Sequence, residues 1–137
     1  MSEAVLEIKN LKKHFPVKKG LFRRTVGYVK AVDGVTFTIN KGETLGLIGE
    51  SGCGKTTVGK LIMQLIKPDS GEIVMDGKHV GSLSRKELHE ARQGFQMVFQ
   101  DPYGSLDPTK SILSVLAEPI KEYNLLPKEK IYDRACE

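Results

Sequence analysis

The chain has 137 residues, of which 39% are hydrophobic and 28% charged, with no Trp and a formal net charge of +4. That length suits one domain with a buried core, and the balance of apolar and charged residues excludes whole-chain disorder. No apolar run approaches the ~18 residues of a membrane span, and two cysteines, Cys53 and Cys136, are too few for a disulfide framework, so a reducing, soluble compartment is expected.

Met1-Ser2-Glu3 leads into a charged segment unlike a secretory leader, and a first strand is predicted at 5–8. The charge then becomes one-sided. Eight of the 21 Lys and Arg lie at 9–30 (Lys9, Lys12, Lys13, Lys18, Lys19, Arg23, Arg24 and Lys30), and no Asp or Glu does. The rest of the chain sets 13 basic against 17 acidic residues, so the basicity is local. One reading is a patch for phosphates, nucleic acid or an anionic membrane surface. The other is a solvated hairpin whose lysines keep an exposed edge soluble. The absence of regular aromatic spacing favours the hairpin.

Pro16, Gly20 and Gly27 mark loop or hairpin positions. Residues 28–39 alternate well enough for one or two strands around Asp33-Gly34, and Lys41-Gly42 is a turn. Thr44-Leu45-Gly46-Leu47-Ile48 reads as a short buried strand. After a glycine-rich turn, Val58, Leu61, Ile62, Leu65 and Ile66 fall at helical spacing, which predicts a helix over 55–66 closed by Pro68. Residues 71–77 are strand, then turn. A short helix over 84–92 has Ser84 as N-cap, with Glu87 three residues on. Another strand is expected at 95–99. An amphipathic helix over 111–123 is interrupted near Pro119, and Pro127 opens a further helix that runs to the end of the chain.

Gly49-Glu50-Ser51-Gly52-Cys53-Gly54-Lys55-Thr56 fits G-x-x-x-x-G-K-S/T. It follows a predicted strand and opens a predicted helix, as its mechanism requires. Glycines let the backbone wrap its N–H groups around phosphate oxygens, and the helix N-terminus adds further donors and a favourable dipole. Lys55 supplies a point charge for the β- and γ-phosphates, the Thr56 hydroxyl is placed to ligate Mg²⁺, and Thr57 is a candidate for the α-phosphate. This is a nucleotide site.

Other signals are weaker. Gln100 ends the predicted strand at 95–99 and could reach a metal ion or a water. Ile73-Val74-Met75-Asp76 resembles an apolar run with a Mg²⁺-holding Asp, but Gly77 follows, and an Asp-Gly turn is the plainer reading. His14, His79 and His89 have no metal-ligand spacing and read as surface residues. Cys53 reads as a small loop residue.

These strings together resemble the nucleotide-binding subunit of an ATP-binding cassette (ABC) transporter over essentially the whole chain. Residues 42–56 are similar to that family's strand and Walker A loop, Ser70-Gly71-Glu72-Ile73 through Gly77 to a further family strand, and Gln100 to the Q-loop glutamine. Phe99-Gln100-Asp101-Pro102-Tyr103-Gly104-Ser105-Leu106-Asp107-Pro108 and Phe15-Pro16-Val17-Lys18-Lys19-Gly20-Leu21-Phe22 look most like oligopeptide and dipeptide importer ATPases, the second of their two ATPase subunits more than the first.

The resemblance implies an α/β fold of the ABC-type P-loop NTPase: a mixed sheet core with an N-terminal antiparallel β-subdomain and the start of a helical subdomain. Residues 1–108 would be the ATP-binding core with the Q-loop, and 109–137 the incomplete helical subdomain. The implied ligands are ATP and Mg²⁺. Phe15 would stack on adenine, with Tyr28 as the alternative. Gln100 would touch Mg²⁺ or the attacking water and relay nucleotide state. The implied partners are transmembrane permease subunits, a second ATP-binding subunit and, indirectly, a solute-binding protein. No nucleic acid is expected, and the place of action would be the cytoplasmic face of the cell membrane.

The family also needs a Leu-Ser-Gly-Gly-Gln signature, a strand ending Asp-Glu and a switch His beyond it. This chain has no Ser-Gly-Gly, no Asp-Glu pair and no His after Gln100. It therefore looks like the N-terminal half of a longer protein, expected to hydrolyse ATP negligibly and to be marginally stable. Acid–base help of the missing kind is worth roughly 10²–10⁴-fold. The alternatives are a non-hydrolysing ATP-binding module and a soluble ABC-type ATPase acting on DNA or ribosomes.

Overall fold

The computed structural model describes residues 3–101, 104 and 106–136. β1 (Ala4–Lys19) and β2 (Arg24–Asn40) form a long antiparallel hairpin, so the first strand runs far beyond the expected 5–8. Pro16 and Gly27 lie inside the strands, opposite Tyr28 and Val17. Proline is tolerated there because the other neighbour of β1, β3 (Ser70–Met75), pairs with it no further than Lys12. Past that point β1 is an edge, and a missing N–H leaves no acceptor unpaired.

Gly34 adopts φ 83° at a shift in pairing between Leu11 and Lys12, so Asp33-Gly34 is a bulge within one strand, not a break between two. The Lys41-Gly42 turn forms as expected, with Gly42 at φ 77° and Glu43 N–H donating to the Asn40 carbonyl at 2.9 Å. β3 turns into β4 (Lys78–His79) through Asp76 and Gly77, both at positive φ (46° and 73°). That is the Asp-Gly hairpin turn, and it accounts for Asp76 without a metal. The sheet order is β2-β1-β3-β4, with every pair antiparallel.

The core lies where α1 (Lys55–Ile62) covers this sheet. Leu6, Ile8, Leu11, Val32 and Ile73 meet Val58 and Leu61 from the helix and Val80 from a 3₁₀ turn (Val80–Ser82). α1 stops four residues short of the expected 66. Gln64 takes the left-handed conformation (φ 52°) and its N–H returns to the Leu61 carbonyl at 3.0 Å, while Leu65 N–H returns to Lys60 at 2.9 Å. These are the two bonds of a Schellman stop, made here with Gln where Gly is usual. Gln64→Gly should therefore stabilise the chain by about 1 kcal/mol, seen as a raised urea midpoint at unchanged slope. An unmoved midpoint would mean that the bond from Gln64 Nε2 to the Leu61 carbonyl (3.0 Å) outweighs the backbone strain.

α2 (Arg85–Ala91) begins with the expected capping box. Glu87 N–H donates to Ser84 Oγ at 3.3 Å, and Ser84 N–H to Glu87 Oε2 at 2.8 Å. The Ser84 hydroxyl and N–H hold the Glu87 carboxyl below its ordinary range.

The expected strands at 44–48 and 95–99 do not form. A strand needs a neighbour for its N–H and C=O groups, and among the described residues neither segment pairs with a sheet edge. Their apolar side chains are correspondingly open, Ile48 98% and Val98 95% exposed. The antiparallel part of the expected architecture is thus present among the described residues, without the parallel strands.

The chain divides into two compact units, Met1–Gln96 and Met97–Glu137. In the second, α3 (Ile112–Glu122) starts from Ser111, whose Oγ accepts from Ser114 N–H at 3.2 Å. α3 is not interrupted at Pro119 but passes through it, and Tyr123 N–H bonds the Pro119 carbonyl at 3.1 Å. Only the backbone bond that Pro119 cannot donate is lost. Pro127 leads into a 3₁₀ turn (Lys128–Lys130) and α4 (Ile131–Cys136). Ala117 of α3 and Ile131 of α4 are buried. Lys121 Nζ donates to the Tyr132 hydroxyl at 2.8 Å and lies 4.4 Å from its ring centre, tying the two helices together.

Candidate functional site

Lys55, the first residue of α1, folds back over the loop that precedes it. Its Nζ donates to the carbonyls of Gly49 and Glu50, each at 2.7 Å, and lies 3.4 Å from Cys53 Sγ. Cys53 N–H donates to the Glu50 carbonyl at 3.3 Å, so residues 49–54 curl around one ammonium group. Gly52 and Gly54 have φ of 82° and 97°, where an L side chain is strained. A Cβ on Gly49 would lie 2.6 Å from Cys53 Sγ, and one on Gly54 would collide with the carbonyl oxygen of Ala31. The glycines at 49, 52 and 54 are therefore set by backbone conformation and by close approach.

α1 has no side-chain cap and no acidic residue in its first turn. Its unsatisfied N–H groups and positive dipole end face no competing carboxylate of their own turn. Thr56 is exposed and Thr57 half-buried. A glycine cradle, one ammonium and an uncapped helix start suit a bound polyphosphate. Among the described residues, no cluster of three or more His, Cys, Asp or Glu could hold a metal ion. Mg²⁺ beside a nucleotide takes most of its ligands from phosphate and water, so one or two protein oxygens, such as the Thr56 hydroxyl, would suffice to hold it.

β2 carries a bulge where Lys13 and His14 face Val32 and Lys30, and the displaced residue is Ala31, whose carbonyl abuts Gly54. Val29, the partner of exposed Phe15, lies two residues from Ala31, about 7 Å along the strand. The hairpin thus brings Phe15 into the neighbourhood of the loop. Tyr28 sits one pair further out, opposite Pro16. Gln100 lies in the second unit and does not end a strand. In the peptide-importer string around it, Pro102, Tyr103 and Ser105 lie outside the described residues.

The basic stretch is neutralised at its base by two acids that sequence reasoning missed as partners. Lys13 Nζ meets Asp69 at 2.8 Å, and His14 N–H donates to Asp69 at 2.6 Å. Asp33 receives Lys30 at 3.1 Å and His14 Nε2 at 3.2 Å. Lys30 and Asp33 are three residues apart in one strand and could have been read locally. His14 reaches Asp33 across the hairpin, and Lys13 and His14 reach Asp69 beside the start of β3, which only a correct register could have revealed. The His14 N–H, with Lys13, holds the Asp69 carboxyl below its ordinary range, and Lys30, then His14, does the same for Asp33.

A carboxyl with a depressed folded pKa contributes stability that is present above its unfolded pKa and lost as pH falls through the folded value. Asp69→Asn should therefore destabilise the chain near neutral pH, and the difference should shrink in acid, below the ordinary carboxylate range. Urea titrations at about pH 7 and about pH 2 test this, and a pH-independent difference would contradict it.

Residues 32–134 match the protein family described as ABC transporter. The oligopeptide transport ATP-binding protein AppF of Bacillus subtilis (strain 168) is 49% identical over 124 residues, which is 90% of this chain and 38% of that protein. The oligopeptide transport ATP-binding protein OppF of the same organism is 46% identical over 131 residues, 95% of this chain and 41% of that protein. Among solved structures, the dimeric post-hydrolysis state of an ATP-binding cassette bound to ADP and Pi matches with a TM-score of 0.75 at 30% identity, covering 96% of this chain and 54% of that one. The chain spans about 40% of the length of these two curated relatives.

Proposed function

The chain belongs to the ABC transporter family, and we propose that it is the nucleotide-binding part of an ATPase subunit that powers import of oligopeptides or dipeptides. The observation that carries this reading is the glycine loop closed around Lys55 Nζ at the start of an uncapped helix. The names of AppF and OppF support peptides as the substrate class.

In this reading the N–H groups of Gly49, Glu50, Ser51, Gly52, Cys53 and Gly54 and of the first turn of α1 bind phosphate oxygens. Lys55 exchanges its loop carbonyls for the β- and γ-phosphates. Thr56 holds one position on Mg²⁺, Thr57 serves the α-phosphate, and Phe15 stacks on adenine. Mg²⁺ supplies charge neutralisation on the phosphates. Gln100 senses the metal or the attacking water and relays nucleotide state to permease subunits. A second ATP-binding subunit completes the site, and a solute-binding protein acts upstream, with the whole at the cytoplasmic face of the membrane. Among the described residues no helix is long and apolar enough to cross a membrane. The 137-residue chain alone, without an Asp-Glu pair, binds nucleotide and does not turn it over.

The test is uptake of a labelled tripeptide by cells whose own gene carries Lys55→Ala. Peptide uptake should fall to background while uptake of free amino acids is unchanged. Unchanged peptide uptake would overturn the substrate class.

A further inference from the structure

The same basic stretch splits in two along the hairpin. Nearer its base Lys9 is paired with Glu7, Lys13 with Asp69 and Lys30 with Asp33. Past Lys12, where β3 stops pairing, β1 and β2 continue as a two-stranded ribbon to Lys19, about 24 Å of strand beyond the sheet. At its end, the turn from Gly20 to Arg23 carries Leu21 and Phe22, 94% and 83% exposed. Lys18, Lys19, Arg23 and Arg24 flank them, all exposed and none in an ion pair among the described residues. Lys19 and Arg24 stand directly opposite each other across the ribbon. Like charges in register destabilise a strand pair, and two large apolar side chains at a turn lose the stabilisation of burial. An anionic surface with an apolar layer beneath it relieves both at once.

We propose that this hairpin tip docks on an anionic lipid bilayer, with Leu21 and Phe22 entering the headgroup–acyl boundary and the four cations meeting lipid phosphates. The pairing of a short apolar tip with flanking Lys and Arg is the interfacial pattern, in which apolar burial and surface charge add. Single-stranded nucleic acid fits less well, since Leu21 offers no stacking face and Phe22 is the one ring in the turn. The proposal concerns direct lipid contact and stands independently of the peptide-import reading.

The sequence has no Trp, so Phe22→Trp places a single reporter at the tip. With vesicles of phosphatidylcholine containing about 30% phosphatidylglycerol, its emission should move to shorter wavelength, and pure phosphatidylcholine should leave it unmoved. Leu125→Trp, elsewhere on the chain, should stay unmoved with both. In co-sedimentation, replacing Lys18, Lys19, Arg23 and Arg24 together by Gln should lower affinity for the anionic vesicles at least about tenfold, and added salt should act the same way. Circular dichroism checks that these variants remain folded, and the tryptophan readout needs no loss of binding. An unmoved Phe22→Trp emission, an equal shift of Leu125→Trp, or equal sedimentation of the four-fold variant would overturn the proposal. So would charge-dependent binding of the tip to single-stranded RNA with none to vesicles.

Discussion

Gly54→Ala is expected to remove the proposed nucleotide site and much of the stability in one step. Gly54 sits at φ 97°, and an added Cβ would collide with the Ala31 carbonyl oxygen. Relief requires the loop to leave β2, which also pulls on Val58 and Leu61, the two α1 side chains buried in the core. Left-handed strain and steric displacement together should cost about 3 kcal/mol or more, a large share of a small domain's stability. Urea unfolding measures it directly. A loss below about 1 kcal/mol would mean that the loop is not held against Ala31 in solution.

Lys55→Ala should separate binding from folding. The ammonium is bonded to two carbonyls of an exposed loop, so its removal should change stability by less than about 1 kcal/mol. Charge-assisted hydrogen bonds to phosphate are worth roughly 1.5–3 kcal/mol, so nucleotide affinity should fall about 10–100-fold. Titration with a fluorescent ATP analogue, beside urea unfolding of the same variant, tests both halves. Equal affinity in the variant would detach Lys55 from the phosphates.

The features legible in the sequence were those written in adjacent residues. Ser84 and Glu87 cap α2 reciprocally, Asp76-Gly77 makes its hairpin turn, and the string from Gly49 to Thr56 forms a loop opening a helix. What could not be read depended on distant partners. The segment 44–48 is apolar enough for a buried strand, yet a strand is a property of a pair, and among the described residues no neighbour takes it up. The outer half of β1 was invisible for the opposite reason: Lys-rich positions on an exposed ribbon carry no hydrophobic period. The stop of α1 was misplaced because Gln64 fills a position where Gly is the usual signal. At the site, the loop was readable, while the approach of Gly54 to Ala31 depended on a bulge in β2 that no local pattern announces.

The most direct measurement of nucleotide binding at this loop is a set of backbone amide spectra of the isotope-labelled chain with and without Mg-ATP. The expected result is that amides at 49–57 shift strongly, those around Phe15 shift less, and those of β3 and β4 stay in place. Silent loop amides, or shifts confined to residues away from α1 and the hairpin, would contradict the assignment of this chain as a nucleotide-binding part of an ABC ATPase.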